Sequence, residues 1–287
     1  MRQITTLANL FELEAVTAVA RDAGAAIRAI YHDYNHQQND EHNDVGSARI
    51  GATTVAITQK ADNSPLTSAD LAAHHVIAQG LKRLTPNIPV VSEEDAASLS
   101  HRQPDGRFWL IDPMDGTKEF ISRNGEFTVN IALIDQGVPV FGVVYAPVPD
   151  QMYWGSAQSG AFCEQAGQVR SIRVAASVGP DALCRVLASK SHLNLETSAF
   201  IARLGRHALV QAGSSLKFCR IAEGQADVYP RLAPTCEWDT AAAQAVLEAA
   251  GGFVYDLAGV RLAYGKPDVL NPSFIAASVP MAQLRHA

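Results

Sequence analysis

Two aspartates three residues apart, Asp112 and Asp115, lie in the stretch WLIDPMDGTKEF at residues 109–120 and could hold a cation together. The apolar run before Asp112 predicts a short buried strand that ends there, and the following proline turns the chain without needing a backbone donor. We expect this turn to bring both carboxylates to the same side. Gly116 allows close backbone approach, and Thr117 is typical of a helix start, where backbone N–H groups attract an anion. The stretch therefore predicts a site for a cation bridged to phosphate.

A bare pair of aspartates at this spacing is also typical of an ordinary turn that the carboxylates cap. The longer string DPMDGTKEF favours the cation site, because it resembles the signature of the inositol monophosphatase superfamily of metal-dependent, lithium-sensitive phosphatases. Within that superfamily, the run RNGEFTVNIALI resembles the 3′(2′),5′-bisphosphate nucleotidase branch. The resemblance covers nearly the whole chain, from KADNSPLT to the region after WDTAA.

The composition is ordinary for a globular chain of 287 residues, with 47% hydrophobic and 18% charged residues. A net charge of -6 argues against a general nucleic-acid binder, which normally carries a basic face. Four widely spaced cysteines without a C-x-x-C motif predict reduced thiols rather than disulfides or a zinc site. The sequence shows neither a signal peptide nor a membrane span. We therefore expect a cytoplasmic protein, and leave open its oligomeric state and a peripheral association with the inner membrane.

The first half of the chain predicts helices packed on a largely antiparallel sheet. Apolar spacing predicts a long amphipathic helix over residues 7–31, and the polar Asn- and His-rich segment 32–51 predicts a solvated loop. A second helix is expected to start at Thr67. The expected strands are residues 53–58, 88–91, 108–111, 127–134, 138–145, 151–154 and 160–163.

Beyond residue 180, short strands alternate with helices, which predicts an α/β layer architecture. The expected strands are 185–188, 208–211 and 227–229, and the expected helices are 198–204, 215–222 and 240–250. The resemblance implies a layered sugar-phosphatase fold with alternating α-β-α-β-α layers. We expect an N-terminal α+β domain at residues 1–155 that carries the main metal motif. A C-terminal α/β domain at residues 156–287 would complete the site between the two.

Three further acids match acids of the superfamily's site, and each also has an ordinary structural interpretation. Asp70 follows Thr67 by three residues, which is a capping-box pattern. Glu93 lies in the acidic turn SEED, which is typical of a solvated surface. Asp239 opens an alanine-rich helix, where the helix dipole favours an acid. The residues alone do not separate these interpretations from catalysis and metal binding, and Asp70 can serve in both ways.

The resemblance implies that two or three Mg²⁺ ions are held by Glu93, Asp112, Asp115, Asp239 and the backbone carbonyl of Met114. It also implies that Asp70 and the hydroxyl of Thr117 orient and deprotonate the attacking water. Carboxylates crowded into one cleft repel one another unless cations neutralise them. Ligands that are all oxygen, without Cys or His, indicate Mg²⁺ rather than zinc.

Positive charge for a phosphorylated substrate must come from a few local residues of this acidic chain. Any single Lys or Arg is most simply a solvated surface residue. Together, the strings SKSH, GSSLKF and YPR resemble the nucleotidase branch, in which the matching His, Ser, Lys and Arg contact the nucleotide. The implied substrate contacts are Glu93, Met114, Asp115, Gly116, Thr117, His192, Ser214, Lys217, Arg231 and Asp239.

The expected reaction is hydrolysis of the 3′-phosphate of adenosine 3′,5′-bisphosphate to AMP and phosphate, with 3′-phosphoadenylyl sulfate as a second substrate in sulfate assimilation. The expected partner is thus a small bisphosphate nucleotide and not a nucleic acid. One alternative is an inositol monophosphatase or fructose-1,6-bisphosphatase of the same superfamily. Another is a non-catalytic nucleotide-binding sensor, which the loss of a metal carboxylate would have favoured.

Overall fold

A computed structural model describes residues 13–41, 57–59, 65–176, 183–188 and 194–284. These residues stack in five layers: a helix pair, a seven-stranded sheet, a second helix pair, a five-stranded sheet and an outer helical layer. The expected α-β-α-β-α architecture is therefore confirmed. Within the described part of the chain, no helix is both long and apolar enough to cross a membrane.

The helices are α1 (Leu13–Glu41), α2 (Ser68–Leu84), α3 (Thr117–Ile121), α4 (Leu195–Ala202), α5 (Leu216–Ala222), α6 (Ala241–Ala249) and α7 (Met281–Leu284), with a 3-10 helix at Ala96–His101. The strands of the first half are β1 (Ile57–Gln59), β2 (Pro65–Thr67), β3 (Val90–Ser92), β4 (Arg107–Asp115), β5 (Thr128–Asp135), β6 (Val138–Ala146), β7 (Gln151–Ser156), β8 (Gly160–Gln165) and β9 (Gln168–Ile172). Those of the second half are β10 (Cys184–Ala188), β11 (His207–Gln211), β12 (Val228–Arg231), β13 (Phe253–Asp256) and β14 (Phe274–Ala277).

The seven-stranded sheet contains β3 to β9 in chain order. Strands β3 and β4 are parallel, and every later neighbour is antiparallel, as expected for consecutive strands joined by short turns. The predicted hairpin of β5 and β6 is confirmed. The sheet continues to Ile172, so its last two strands follow residue 155, and the division into domains at that residue stays a prediction.

The two faces of this sheet bury different apolar sets, because successive side chains of a strand alternate. Trp109 and Ile111 of β4 pack with α1 and α2. Phe108 and Leu110 face the opposite way and join the core around α5 and α6. Asp112 continues the second series, so the strand directs its carboxylate toward the middle helical layer.

Helix α6 packs directly on the seven-stranded sheet through backbone contact at Gly142. A Cβ built on that glycine would lie 2.1 Å from the carbonyl oxygen of Ala242, so a side chain at this position would displace the helix. The helix presents small residues such as Ala242 and Ala245 to the strand. The close approach places the start of α6, and with it Asp239, beside the end of β4.

The five-stranded sheet has the order β11-β10-β12-β14-β13, with β10 parallel to both of its neighbours and β14 antiparallel to both of its own. Its inner face joins the core of α5 and α6, and its outer face packs with α4 and α7. The three strands and three helices predicted beyond residue 180 are present with shifted ends. Strands β2, β9, β13 and β14, the 3-10 helix and helix α7 were not predicted.

Residues 32–41 correct one expectation, because they extend α1 and do not form a loop. Their sequence lacks apolar periodicity, which is the signal by which a buried helix is recognised. A helix already anchored by packing gains one hydrogen bond for each added residue, so it can continue into a polar segment. Residues 7–12, 42–51 and 53–56 lie outside the described part of the chain.

The end of β4 corrects a second expectation, because the strand does not close at Asp112. It runs to Asp115 with a register shift between the two aspartates. Asp112 pairs with Asn130 of β5 and Asp115 pairs with Thr128, so two residues of β4 oppose one residue of β5. This pattern is a β-bulge, a feature that local hydropathy does not signal.

A buried ion pair joins the segment after β3 to the segment before α6. Nε of Arg102 donates to Oε2 of Glu237 over 2.9 Å, and their side chains are 4% and 0% exposed. Glu237 also accepts from the backbone N–H groups of Gly265 and Lys266, each over 3.0 Å. Arg102 in turn donates to the carbonyl of Lys266. The fully hydrogen-bonded carboxylate therefore locks three segments of the chain together.

Replacing Arg102 by methionine should destabilise the protein by about 1.5–3 kcal/mol, because buried Glu237 loses one charge-assisted hydrogen bond and keeps its second cation, the ammonium of Lys266. Urea unfolding of wild type and variant measures the effect. The matched control is Arg261→Met, which breaks an ion pair to Glu248 in which the arginine is 44% exposed. That control should cost less than about 1 kcal/mol. Equal shifts of the two midpoints would show that burial of the first pair is unimportant.

Candidate active site

The bulge in β4 places Asp112 and Asp115 on the same side of the sheet. In a regular strand, residues three apart point to opposite faces, and one extra residue restores them to one face. Their partners on β5, Asn130 and Thr128, are two residues apart and so also share a face. The backbone N–H of Met114, inside the bulge, donates to Oδ1 of Asp112 over 3.0 Å. Both carboxylates of the motif thus face the middle helical layer, as expected, through a bulge rather than a turn.

Glu93, Asp112 and Asp239 form a cluster in which one carboxylate oxygen of each lies within 4.8 Å of the others. Glu93 follows β3, Asp112 lies in β4, and Asp239 precedes α6, so three separate segments meet here. The structure therefore brings together three of the four predicted metal-binding acids.

Electrostatic repulsion within this cluster is strong. Burial raises the pKa of Asp112 well above its ordinary value, and the nearby charges of Glu93 and Asp115 add to the effect. Burial likewise raises the pKa of Asp239, with Asp115 as the largest charged contributor. A divalent cation would relieve this repulsion and favour the ionised form of each acid. Carboxylate oxygens are the ligands that Mg²⁺ prefers, so the donor set fits the expected ion.

Asp115 lies beside the cluster, and one of its oxygens is held by two serines. Oδ2 of Asp115 accepts hydrogen bonds from Ser214, over 2.5 Å, and from Ser215, over 2.9 Å. Oγ of Ser215 also lies 2.9 Å from the carbonyl oxygen of Asp239 and accepts from the amide of Asn130 over 2.9 Å. The buried hydroxyl of Ser215 therefore links Asp115 to the segment that carries Asp239. A metal-binding role for Asp115 stays a prediction.

Asp70 lies near the cluster and Thr117 opens α3, and their expected catalytic roles stay predictions. Asp70 is 1% exposed in the first turn of α2, and its charge contributes to the raised pKa of Asp112. Helix α2 begins one residue after Thr67, so capping and catalytic roles stay compatible for Asp70. Thr117 is the first residue of α3, as predicted.

Gly116 precedes α3 with a left-handed backbone, at φ 96°. A Cβ there would lie 3.1 Å from Oε2 of Glu119 and 3.3 Å from Cα of Phe127, so both conformation and space require glycine. Gly116 thus leaves the backbone without a side chain directly before α3, the helix whose start is predicted to bind an anion.

A cleft of about 110 Å³ extends from Asp115 and Asp239 between the two sheets. Its walls carry two cations, Lys217 and Arg231, together with one further acid and three aromatic rings: Glu119, Phe218, Tyr229 and Phe274. Three of the predicted nucleotide contacts, Ser214, Lys217 and Arg231, therefore lie in one cleft next to the carboxylate cluster. His192, the fourth, lies outside the described residues.

Lys217 is buried and supports the backbone of its own loop. Its Nζ donates to the carbonyl of Ser214 over 2.6 Å and lies 5.3 Å from the centroid of the Tyr229 ring. Burial lowers the pKa of Lys217 to about 8, even though the charge of Asp115 acts to raise it. Lys217 therefore holds Ser214 in place, in addition to any contact with substrate.

Arg231 keeps donor capacity within the cleft. Its Nη2 donates to the carbonyl of Pro234 over 3.0 Å. Its Nε is buried and has no hydrogen-bond partner among the described residues. A buried N–H without an acceptor is costly, and an anionic ligand would supply one.

Four polar residues of the site were not identified from the sequence: Ser215, Thr128, Asn130 and Glu119. Oγ1 of Thr128 lies 2.6 Å from Oγ of Ser214, and Asn130 supports Ser215. A signal existed in the strand, because two polar residues at a spacing of two interrupt an otherwise apolar run. Glu119 gave no comparable signal, since an acid in the first turn of a helix is common.

Comparison with known proteins agrees with this geometry. The family model described as "Inositol monophosphatase family" matches residues 11–286. The chain is 48% identical over 263 residues to "3'(2'),5'-bisphosphate nucleotidase CysQ" of Escherichia coli O157:H7, covering 91% of this chain and 98% of the relative. A protein of the same name from Buchnera aphidicola is 36% identical over 279 residues, 96% of this chain and 97% of the relative.

A solved structure shows the same likeness in three dimensions. The crystal structure of CysQ from Bacteroides thetaiotaomicron, a bacterial member of the inositol monophosphatase family, aligns with a TM-score of 0.74 and 39% identity. The alignment covers 93% of this chain and 97% of that protein. Fold and site together thus define a layered α/β phosphatase with a carboxylate metal site. The chain belongs to the inositol monophosphatase family.

Asp112→Asn should raise the melting temperature of the metal-free protein near neutral pH. The pKa of Asp112 is raised in the folded state. At pH values between its unfolded and folded pKa, the folded protein therefore binds more protons than the unfolded chain. Stability in EDTA is therefore full below the unfolded pKa, roughly 4, and falls as the pH rises through the folded pKa. Asparagine removes that loss, while its amide oxygen can still accept from Met114.

Thermal melts with EDTA and with Mg²⁺ measure this effect. Wild type should gain stability with Mg²⁺, and Asp112→Asn should gain much less. The exposed acid Asp105 supplies a control, because Asp105→Asn should leave both melts unchanged. A variant less stable than wild type in EDTA at every pH would contradict the repulsion described for Asp112.

Proposed function

We propose that this chain is a Mg²⁺-dependent 3′(2′),5′-bisphosphate nucleotidase that hydrolyses adenosine 3′,5′-bisphosphate to AMP and phosphate. The observation that carries the proposal is the cleft in which Lys217, Arg231 and three aromatic rings adjoin the carboxylate cluster. The names of the relatives with 36–48% identity support the same substrate. 3′-Phosphoadenylyl sulfate shares the 3′-phosphate and is proposed as a second substrate.

The carboxylate cluster suits the reacting phosphate. Glu93, Asp112 and Asp239 would hold Mg²⁺, with Asp115 and the carbonyl of Met114 as further ligands. When bound, Mg²⁺ would supply a Lewis acid that neutralises charge on the phosphoryl oxygens and activates water. Among the protein's own groups, Asp70 and Thr117 would orient the water, and Asp70 would accept its proton. The water oxygen would bond to phosphorus as the bond between phosphorus and the ribose 3′-oxygen breaks, and that oxygen would leave as a hydroxyl by taking a proton from solvent water.

The cleft beyond the cluster suits the rest of the nucleotide. Arg231 offers a buried donor to the second phosphate, and Lys217 adds positive charge nearby. Phe218, Tyr229 and Phe274 line this part of the cleft, but they are 1–4% exposed and pack mainly on one another. The two cations would therefore distinguish a bisphosphate nucleotide from an inositol monophosphate through the second phosphate. Four free cysteines are compatible with a cytoplasmic location, which we propose for the enzyme.

Phosphate release from a panel of substrates tests the assignment. With Mg²⁺, adenosine 3′,5′-bisphosphate should be hydrolysed with a higher kcat/KM than inositol 1-phosphate or fructose 1,6-bisphosphate. EDTA should abolish release, because the carboxylate cluster then repels the substrate. Asp239→Asn, purified in the same way, controls for a contaminating phosphatase. A preference for inositol phosphate would overturn the substrate, and undiminished activity in EDTA would overturn the metal site.

Arg231→Met should lower kcat/KM for adenosine 3′,5′-bisphosphate by roughly tenfold to a hundredfold, because a charge-assisted contact is typically worth about 1.5–3 kcal/mol. Hydrolysis of 3′-AMP, which lacks the second phosphate, should fall much less. Lys217→Met is the comparison variant. This variant should lower kcat/KM for both substrates, since Lys217 also holds the loop of Ser214. Equal losses for the two substrates in Arg231→Met would show that Arg231 does not read the second phosphate.

A further inference from the structure

The turn that carries Glu93 is held by one backbone bond of Glu93 itself and by several bonds of Ser92, the residue before it. The N–H of Glu93 donates to the carbonyl of Ile111 over 3.3 Å. The backbone N–H of Asp95 donates to the carbonyl of Ser92 over 3.2 Å and closes the turn. The N–H of Ser92 donates to Oγ of Ser98 over 3.0 Å, and the N–H of Glu94 donates to Oγ of Ser92 over 3.2 Å. Ser92 is 1% exposed, so these bonds lie within the protein. Ser92 therefore helps to fix the turn from which Glu93 projects.

One side chain of α2 reaches this buried serine. Nδ1 of His74 lies 2.8 Å from Oγ of Ser92, within hydrogen-bond distance. His74 follows Asp70 by four residues, so both lie on the same side of α2, one turn apart. Helix α2 thus carries the proposed base, Asp70, and a contact to the turn of the proposed metal ligand, Glu93.

We propose that His74 is a positioning residue that sets Glu93 relative to Asp70 by fixing Ser92. The inference rests on the proposed function, because it takes Glu93 as a metal ligand and Asp70 as the base. The hydrogen-bond contact that carries this role is the one between the imidazole of His74 and Ser92. Outer groups that orient metal ligands typically change metal affinity or activity by about tenfold to a hundredfold when removed.

The neighbouring histidine provides a matched control. His75 is exposed, and its Nδ1 lies 2.6 Å from the carbonyl of Leu71 in its own helix rather than near Ser92. The two rings are adjacent, with centroids 5.3 Å apart. Removal of either imidazole therefore perturbs the same surface of α2, but only one removal reaches the turn of Glu93.

The test compares His74→Leu, His74→Asn and His75→Leu by Mg²⁺ titration of the melting temperature and by Mg²⁺ activation of phosphate release. The Mg²⁺ midpoint is the concentration that gives half of the rise in melting temperature or half of the activation of phosphate release. His74→Leu should raise both midpoints by roughly tenfold. His74→Asn should restore them to near the wild-type values, because the amide places a polar atom where Nδ1 stands. His75→Leu should match wild type. A merely structural role would lower the melting temperature in EDTA and leave the Mg²⁺ midpoints unchanged.

A double variant tests whether His74 acts through Ser92. Ser92→Ala should raise the midpoints at least as far as His74→Leu, and combining the two should add little further. The inference would be overturned if the two shifts in Mg²⁺ midpoint multiplied in the double variant, or if His74→Leu alone left the midpoint unshifted. A wild-type protein that neither binds Mg²⁺ nor needs it would instead overturn the proposed function. The Mg²⁺ response of wild type therefore distinguishes failure of the proposed function from failure of the inference about His74 before any variant is measured.

Discussion

Repulsion between carboxylates held in one cleft is the constraint on which the rest of this structure depends. Glu93, Asp112 and Asp239 bring ligand oxygens within 4.8 Å of one another, and Asp70 and Asp115 add negative charge nearby. Such a cluster opposes folding unless surrounding groups hold the acids in place and a cation neutralises their charge. Hydrogen bonds from the surrounding residues hold the acids in place, and a divalent cation is best suited to neutralise them.

The support comes from elements far apart in the chain. The bulge between β4 and β5 orients Asp112, the turn at Ser92 presents Glu93, and the close packing of α6 on Gly142 brings in Asp239. The buried ion pair of Arg102 and Glu237 joins the last two of these segments. Each of these acids lies in a packed strand or directly beside a strand or helix, which limits how far the acids can move apart when no cation is bound.

In the proposed function, the cleft beside the cluster separates the chemistry from the selection of substrate. The acids would act on a phosphate without distinguishing what it is attached to. Lys217 and Arg231, with the aromatic rings around them, lie on the second sheet and the helix before it. Ser214 and Ser215 connect the two regions, because their hydroxyls bond Asp115 while their loop is held by Lys217. In the proposed function, these short hydrogen bonds would align a substrate in the cleft with the cluster.

The sequence alone determined what depends on neighbouring residues. Apolar runs identified six strands of the first sheet and three of the second, and missed β9, β13 and β14. The string DPMDGTKEF identified the family and the acids at its centre. The prediction of a loop at residues 32–41 was wrong, because helix α1 continues there without an apolar stripe. The sequence also gave no sign of the bulge that aligns Asp112 with Asp115. Only the tertiary structure decided that Ser215 links Asp115 to the segment of Asp239, or that Arg102 pairs with Glu237 at a separation of 135 residues. Local patterns record the preferences of a short segment, whereas such contacts arise when whole layers pack in one register, which no short segment specifies.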